Sequence, residues 1–239
     1  MSRVKRREEK TEKRAHDFFW LFLFLIGLFS SLFLLQCRNA PLIILPSPME
    51  RMEGYASLSL SGSQGSAKSK FSFLLELPRQ GQIEVFDLLG RTVYRLLIEG
   101  SEAYFILPSK KVYWQGGREE IIEKFLGFAL SPEEIGSLLS GQWKRRGIEE
   151  GKWNIERDEK DRVVAASRND LRFEIRQFFP QSPVARLVFF RHSLGRGRLK
   201  ILNIKFNQPL KEAAFSLSFL QDFAPCTWEE IERMLGNEN

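Results

Sequence analysis

Few side chains in this 239-residue chain have the chemistry to act as a nucleophile, a base or a metal ligand. The histidines are His16 and His192, and the cysteines are Cys37 and Cys226. His192 has no obvious serine or cysteine partner and no carboxylate at a telling spacing, so nucleophile–base chemistry has no visible constellation. No cysteine or histidine cluster shows metal-ligand spacing. The acidic pairs Glu119-Glu120 and Glu229-Glu230 fall in first helical turns, where interaction with the helix dipole accounts for them. Gly116-Gly117 and Gly195-x-Gly197 are not followed by the Gly-Lys-Ser/Thr of a phosphate loop. The expectation is a protein without catalysis and without a cofactor. The one cysteine in a telling place is Cys37, which directly follows a long apolar run.

That run dominates the N-terminus. Residues 1–17 are strongly charged, and residues 18–35 are uncharged and almost wholly apolar. As a helix, the apolar stretch spans roughly 27 Å, close to a bilayer core. It is longer than the roughly 7–15 apolar residues of a signal peptide. The basic flank predicts a cytoplasmic N-terminus and an exported remainder. Leu34-Leu35-Gln36-Cys37 resembles a lipobox, the motif that precedes an acylated cysteine in bacterial lipoproteins, with Gln36 standing where that motif has a small residue. Two tethers fit: a lipid on Cys37, placing the protein at the outer membrane, or an uncleaved helix in the inner membrane. Both hold the remainder in the cell envelope, facing the periplasm. A Cys37–Cys226 disulfide is open only if Cys37 carries no lipid.

The formal charge is +6, and the first 37 residues contribute seven Lys/Arg against four Asp/Glu. About half of the excess is therefore N-terminal, and nucleic-acid binding is not expected.

The elements that follow are mainly strands. Residues 38–53 contain Pro41, Pro46 and Pro48 and read as a tether; residues 54–239 read as the folded domain. Period-two alternation predicts strands at 55–61, 70–77, 82–87, 92–98, 102–107 and 111–114. Short connections predict a meander. Two helices should interrupt it. Residues 118–128 carry Ile121, Ile122, Phe125 and Leu126 at helical spacing. Ser131-Pro132-Glu133-Glu134 is a capping box with proline at the first helical position, and Gly141 is a stop. Strands resume at 152–157, 162–168, 171–178, 185–191, 198–206 and 214–219. Thr227-Trp228-Glu229-Glu230 caps a terminal helix reaching Leu235. So many strands should curl rather than stay flat, giving an incomplete antiparallel barrel with the two mid-chain helices over its mouth. Phe71, Phe73 and Leu75 share one face and line either a cavity or an ordinary core.

Two hairpin tips stand out. Leu88-Leu89 is unusual, since tips are usually polar. Exposed leucines there would contact a partner or a membrane; longer strands would fold them inward. Ser193-Leu194-Gly195-Arg196-Gly197-Arg198 reads as a solvated basic turn, with anionic headgroups as the alternative partner.

The stretch Ile83-Glu84-Val85-Phe86-Asp87-Leu88-Leu89-Gly90-Arg91-Thr92-Val93-Tyr94 resembles the third and fourth strands of the LolA/LolB-like lipoprotein-sorting family, closer to its receptor branch. Phe125-Leu126-Gly127-Phe128-Ala129-Leu130-Ser131-Pro132, with Ile135, Leu138-Leu139 and Gly141, resembles the receptor's lid. The resemblance covers roughly residues 54 to 220. It implies a half-barrel of about eleven strands whose cavity holds acyl chains, with Phe71, Phe73, Leu75, Ile83, Val85, Phe105, Ile122, Phe125 and Leu138 as candidate lining. It implies a membrane- or cargo-insertion role for Leu89, or its neighbour Leu88. The implied partners are the membrane, lipid or lipoprotein acyl chains, and a periplasmic carrier protein. The implied function is lipoprotein or lipid sorting at the outer membrane; the alternative is an envelope scaffold binding a protein through the same fold.

Overall fold

A computed structural model of the chain describes residues 43–62, 65–143, 152–193, 195–210 and 214–236. The apolar segment 18–35 and Cys37 lie outside the described residues. Six strands come first: β1 (Arg51–Gly62), β2 (Gly65–Glu76), β3 (Gln80–Phe86), β4 (Thr92–Glu99), β5 (Glu102–Leu107) and β6 (Val112–Gly117). Helices α1 (Arg118–Leu126) and α2 (Pro132–Ser140) follow. Then come β7 (Asn154–Arg157), β8 (Val163–Arg168), β9 (Leu171–Phe178), β10 (Ala185–His192) and β11 (Gly195–Phe206). The chain ends in a two-residue β12 (Ala224–Pro225) and helix α3 (Trp228–Gly236).

The twelve strands of the described residues form one unclosed, curled sheet in the order β12-β6-β5-β4-β3-β2-β1-β11-β10-β9-β8-β7. Each half is the expected meander. The halves join where β1 pairs antiparallel with β11, from Met52↔Phe206 to Gly62↔Gly195, with an irregularity at Tyr55/Ala56. Local periodicity carries no information about this long-range pairing. The first strand begins at Arg51 rather than residue 55. Asn207 helps set that start: its Oδ1 accepts from the backbone N–H of Glu50 and Arg51, at 3.0 and 3.1 Å.

Alternation places one apolar set inside the curl. Leu58, Leu96, Ile98, Phe173, Val188 and Phe190 belong to one buried cluster with Ile121, Ile122 and Leu138 of the two lid helices. A second cluster lies at the end where β1 starts, around Met52, Phe73, Leu75, Ile201 and Phe206. Burying such side chains stabilises the fold by about 1.5–3 kcal/mol each.

The expected strand at 214–219 is corrected. Residues 214–217 are irregular and Ser218–Asp222 is a 3-10 turn. Leu217, Phe219, Leu220 and Phe223 pack on Leu97, Tyr104 and Ile106, on the sheet face opposite the cavity side. Their alternation serves to cover an apolar patch, not to extend the sheet. The chain then passes the β6 edge as the parallel strand β12. There α3 seats Ile231, fully buried, in the inner core, and Trp228 edge-on against Phe105 and Trp114.

The lid helices end where glycine permits. Gly127 (φ +80°) and Gly141 (φ +73°) adopt the left-handed conformation and donate their N–H to Glu123 and Ser137 carbonyls. α1 therefore stops at Leu126, short of residue 128. The β10–β11 tip is tighter than expected, since His192 already pairs with Gly195. Gly197 lies within β11 because the Phe190 ring occupies the space a Cβ would need, 2.1 Å away.

Candidate functional site

The inner sheet face and the lid enclose a cavity of about 100 Å³ with no polar surface. From the first meander it is lined by Phe71, Phe73, Leu75, Ile83, Leu96 and Ile98. The second half adds Phe173, Val188, Phe190, Leu199 and Ile201. The lid contributes Ile122, Phe128, Ile135, Leu138 and Leu139. Wholly apolar cavities of this kind stay dry, and one of about 150 Å³ admits benzene. In the closed form described here, the space is smaller than that and far smaller than an acyl chain.

Of the nine candidate lining positions, Phe71, Phe73, Leu75, Ile83, Ile122 and Leu138 face the cavity. Val85 and Phe105 are buried away from it; Phe105 instead stacks on Tyr94 at 5.1 Å and meets Trp228. The side chain of Phe125 lies outside the described residues. Leu58, Phe173, Val188, Phe190, Leu199 and Ile201, outside the candidate set, also line the cavity and alternate in the same way. The missing information was that β1–β11 pairing turns both halves toward one space.

Glu134, the third residue of α2, fastens the lid. Its Oε2 accepts the Ser131 backbone N–H at 2.9 Å, while Ser131 Oγ accepts the Glu134 N–H at 3.1 Å, completing the capping box. Its Oε1 accepts from Trp153 Nε1 at 2.7 Å and pairs with Arg168. Arg168 also donates to the Ala129 carbonyl at 2.8 Å and lies over the Trp153 ring. One largely buried carboxylate thus joins α2 to β8 and to Trp153, just before β7. Glu134→Ala removes the cap partner and leaves Trp153 and Arg168 without their acceptor. It should destabilise the fold by about 2–3 kcal/mol, read from the denaturant midpoint. A shift below about 0.5 kcal/mol would show that the fastening contributes nothing.

The Leu88-Leu89 tip is open to solvent, with Leu88 104% and Leu89 79% exposed. Asp87 builds the turn. Its Oδ1 accepts from the N–H of Leu89 and Arg91, at 2.8 and 2.9 Å, and its Oδ2 from Arg91 Nε at 2.7 Å. Gly90 takes φ +80°. The β7–β8 tip repeats this construction: Asp158 accepts from Lys160 and Arg162 N–H and from Arg162 Nε, and Asp161 takes φ +57°. The same scaffold presents Glu159-Lys160 there and two leucines here, so the turn geometry does not require leucine.

The Arg91 backbone and guanidinium hold the Asp87 carboxyl below its ordinary range, and the Arg162 guanidinium does the same for Asp158. A carboxyl lowered in the folded state stabilises its turn above the unfolded value and loses that contribution as pH falls through the folded value. Both tips should therefore loosen together under acid, below the ordinary carboxylate pKa of 3.8, seen as faster amide exchange at Leu89 and Lys160. Exchange at these amides that ignores acid, once the intrinsic pH dependence is removed, would contradict this.

Cys226 donates to the Tyr113 carbonyl at 3.4 Å, and burial first, then Glu230, pushes its thiol pKa up, away from nucleophilic behaviour. His192 packs edge-on against Phe128, 5.1 Å between ring centres. Among the described residues, no group of three His, Cys, Asp or Glu could hold a metal ion, and no helix is long and apolar enough to cross a membrane.

No family model matches the chain, and no curated protein matches it at a significant level. Solved structures do resemble it. A DUF1329 family protein from Desulfovibrio piger is 11% identical with a TM-score of 0.52, covering 72% of this chain and 92% of its own. A LolA superfamily protein from Nitrosomonas europaea is 9% identical with a TM-score of 0.47, covering 72% and 92%. A domain from Vibrio parahaemolyticus described as an outer membrane lipoprotein-sorting protein is 14% identical, also at 0.47, covering 72% and 91%. The Desulfovibrio likeness is one of fold.

Proposed function

We propose that this is a non-catalytic protein of the cell envelope that takes an acyl chain of a lipid or lipoprotein beneath its lid and passes it to a membrane. The observation that carries the reading is the cavity: apolar on every side and roofed by two short helices. Supporting it is a leucine pair displayed on a turn that does not need it. In this reading the protein resembles the receptor branch of lipoprotein sorting. The apolar segment 18–35 or a lipid on Cys37 tethers it, and a periplasmic carrier supplies the cargo.

The closed cavity cannot hold an acyl chain, so α1 and α2 must lift. Energetics permit it. Burying methylenes gains about 0.8 kcal/mol each, so about ten of them outweigh several-fold the roughly 2–3 kcal/mol assigned to the Glu134 fastening. The test is uptake of a fluorescent fatty-acyl probe by residues 38–239. Saturable uptake, faster in Glu134→Ala, is expected; absence of uptake in both proteins would overturn the reading.

A further inference from the structure

The outer face of the sheet, opposite the cavity, is divided. Over β4 and β5 it is apolar, and the chain's own residues 217–223 cover it. Beside that cover, Glu84 pairs with Arg95, and Arg95 lies over Phe219. Across β2, β1, β11, β10 and β9 the outward positions are instead uncovered and basic. Register aligns them in rows. One row runs Ser61, Arg196, Arg191, Arg172. The next runs Lys68, Ser59, Arg198, Phe189, Glu174, and a third Lys70, Ser57, Lys200, Leu187.

Three features set this face apart. Lys68, Lys70, Arg191, Arg196, Arg198 and Lys200 are all exposed, and none has an ion-pair partner among the described residues. The carboxylate in these rows, Glu174, is already engaged by Arg172 and Arg176. Arg196 and Arg191 stand directly opposite one another on adjacent strands, an arrangement that destabilises a sheet on its own; Arg172, next in the row, is paired with Glu156 and Glu174. Phe189, 40% exposed, sits among the arginines. Five strands make the face about 19 Å wide.

We propose that this bare basic half is a docking face for an anionic phospholipid bilayer. The opposed Arg191 and Arg196, unfavourable in isolation, and the exposed cations beside them become favourable against a surface of phosphates. A second observation selects a bilayer over another polyanion. Lys70 pairs with Phe86, so the Leu88-Leu89 tip projects from the same end of the sheet as the β10–β11 tip and its arginine row. A bilayer offers headgroups to the cations and hydrocarbon to the leucines; a nucleic acid offers no apolar phase. The inference rests on the membrane-facing part of the proposed function and adds the lipid charge that the protein would select.

The experiment uses the full chain reconstituted into vesicles, with p-benzoylphenylalanine in place of Phe189 as a photo-crosslinker. Vesicles of phosphatidylcholine alone are compared with equal parts of phosphatidylcholine and phosphatidylglycerol. Phospholipid adducts should be about tenfold more abundant in the anionic vesicles and fall as salt is raised. Arg196→Glu with Arg198→Glu should reduce them about tenfold. Lys68→Glu with Lys70→Glu, on a different hairpin, should do the same, so local misfolding cannot account for both. Equal adducts in both vesicle types, or indifference to both charge reversals, would overturn the proposal. So would adducts to a protein in place of lipid when envelope extract is supplied. Acyl-probe uptake is read in the same samples. If uptake fails while charge-dependent adducts persist, the acyl reading falls and the docking face stands.

Discussion

Replacing Leu88 and Leu89 together by glutamate should abolish transfer of bound acyl cargo to vesicles while leaving acyl uptake at the wild-type level. Neither side chain is part of the buried core, so the fold loses nothing by their removal. Asp87, Gly90 and Arg91 still form the turn, as the charged twin at Asp158–Arg162 demonstrates. What is lost is the gain from burying two leucines in hydrocarbon, about 1.5–3 kcal/mol each, and two charges are added that resist entry. Transfer rates should fall at least about a hundredfold. Loss of uptake in parallel would mean that the tip contributes to the cavity or the fold.

Leu138→Trp is the converse experiment. Leu138 faces the cavity from α2 and is nearly buried. A larger side chain there occupies the space that the acyl chain must enter. Because the cavity receives part of the added volume, the strain should stay within about 1–3 kcal/mol. An acyl chain displaced from about four methylenes of contact loses roughly 3 kcal/mol, or two orders of magnitude in affinity. Weakened uptake by a folded variant, with the Leu88-Leu89 tip unchanged in amide exchange, is the expected result. Unchanged uptake would place the acyl site elsewhere.

Much of this architecture can be read from local pattern. Phe71, Phe73 and Leu75 alternate over enough residues to define both a strand and its inward face. Ser131, Pro132, Glu134 and Gly141 mark both ends of α2 because each supplies a backbone partner or conformation that a helix terminus needs. The leucine tip is legible because it breaks the usual polarity of a hairpin turn.

Long-range pairing and the use of the outer face were not readable in this way. Alternation at 214–219 matches a strand, yet its side chains are matched to Leu97, Tyr104 and Ile106. Apolar residues on both faces of β5 called for some cover, and only three-dimensional arrangement shows that the chain supplies it. Likewise, Phe173, Val188 and Leu199 alternate as clearly as Phe71 and Phe73. Nothing local shows that the β1–β11 junction brings both sets to one cavity. The arginine row across β11, β10 and β9 is also invisible in linear order, where Arg172, Arg191 and Arg196 are simply scattered charges.

Acyl binding requires that the lid open to seat one chain in the apolar cavity. Native mass spectrometry of residues 38–239 equilibrated with palmitate, wild type beside Leu138→Trp, decides whether it does. One palmitate per chain on the wild type, lost from the variant, is the predicted result. A wild-type protein that carries no palmitate, or that retains it equally in Leu138→Trp, would contradict the claim.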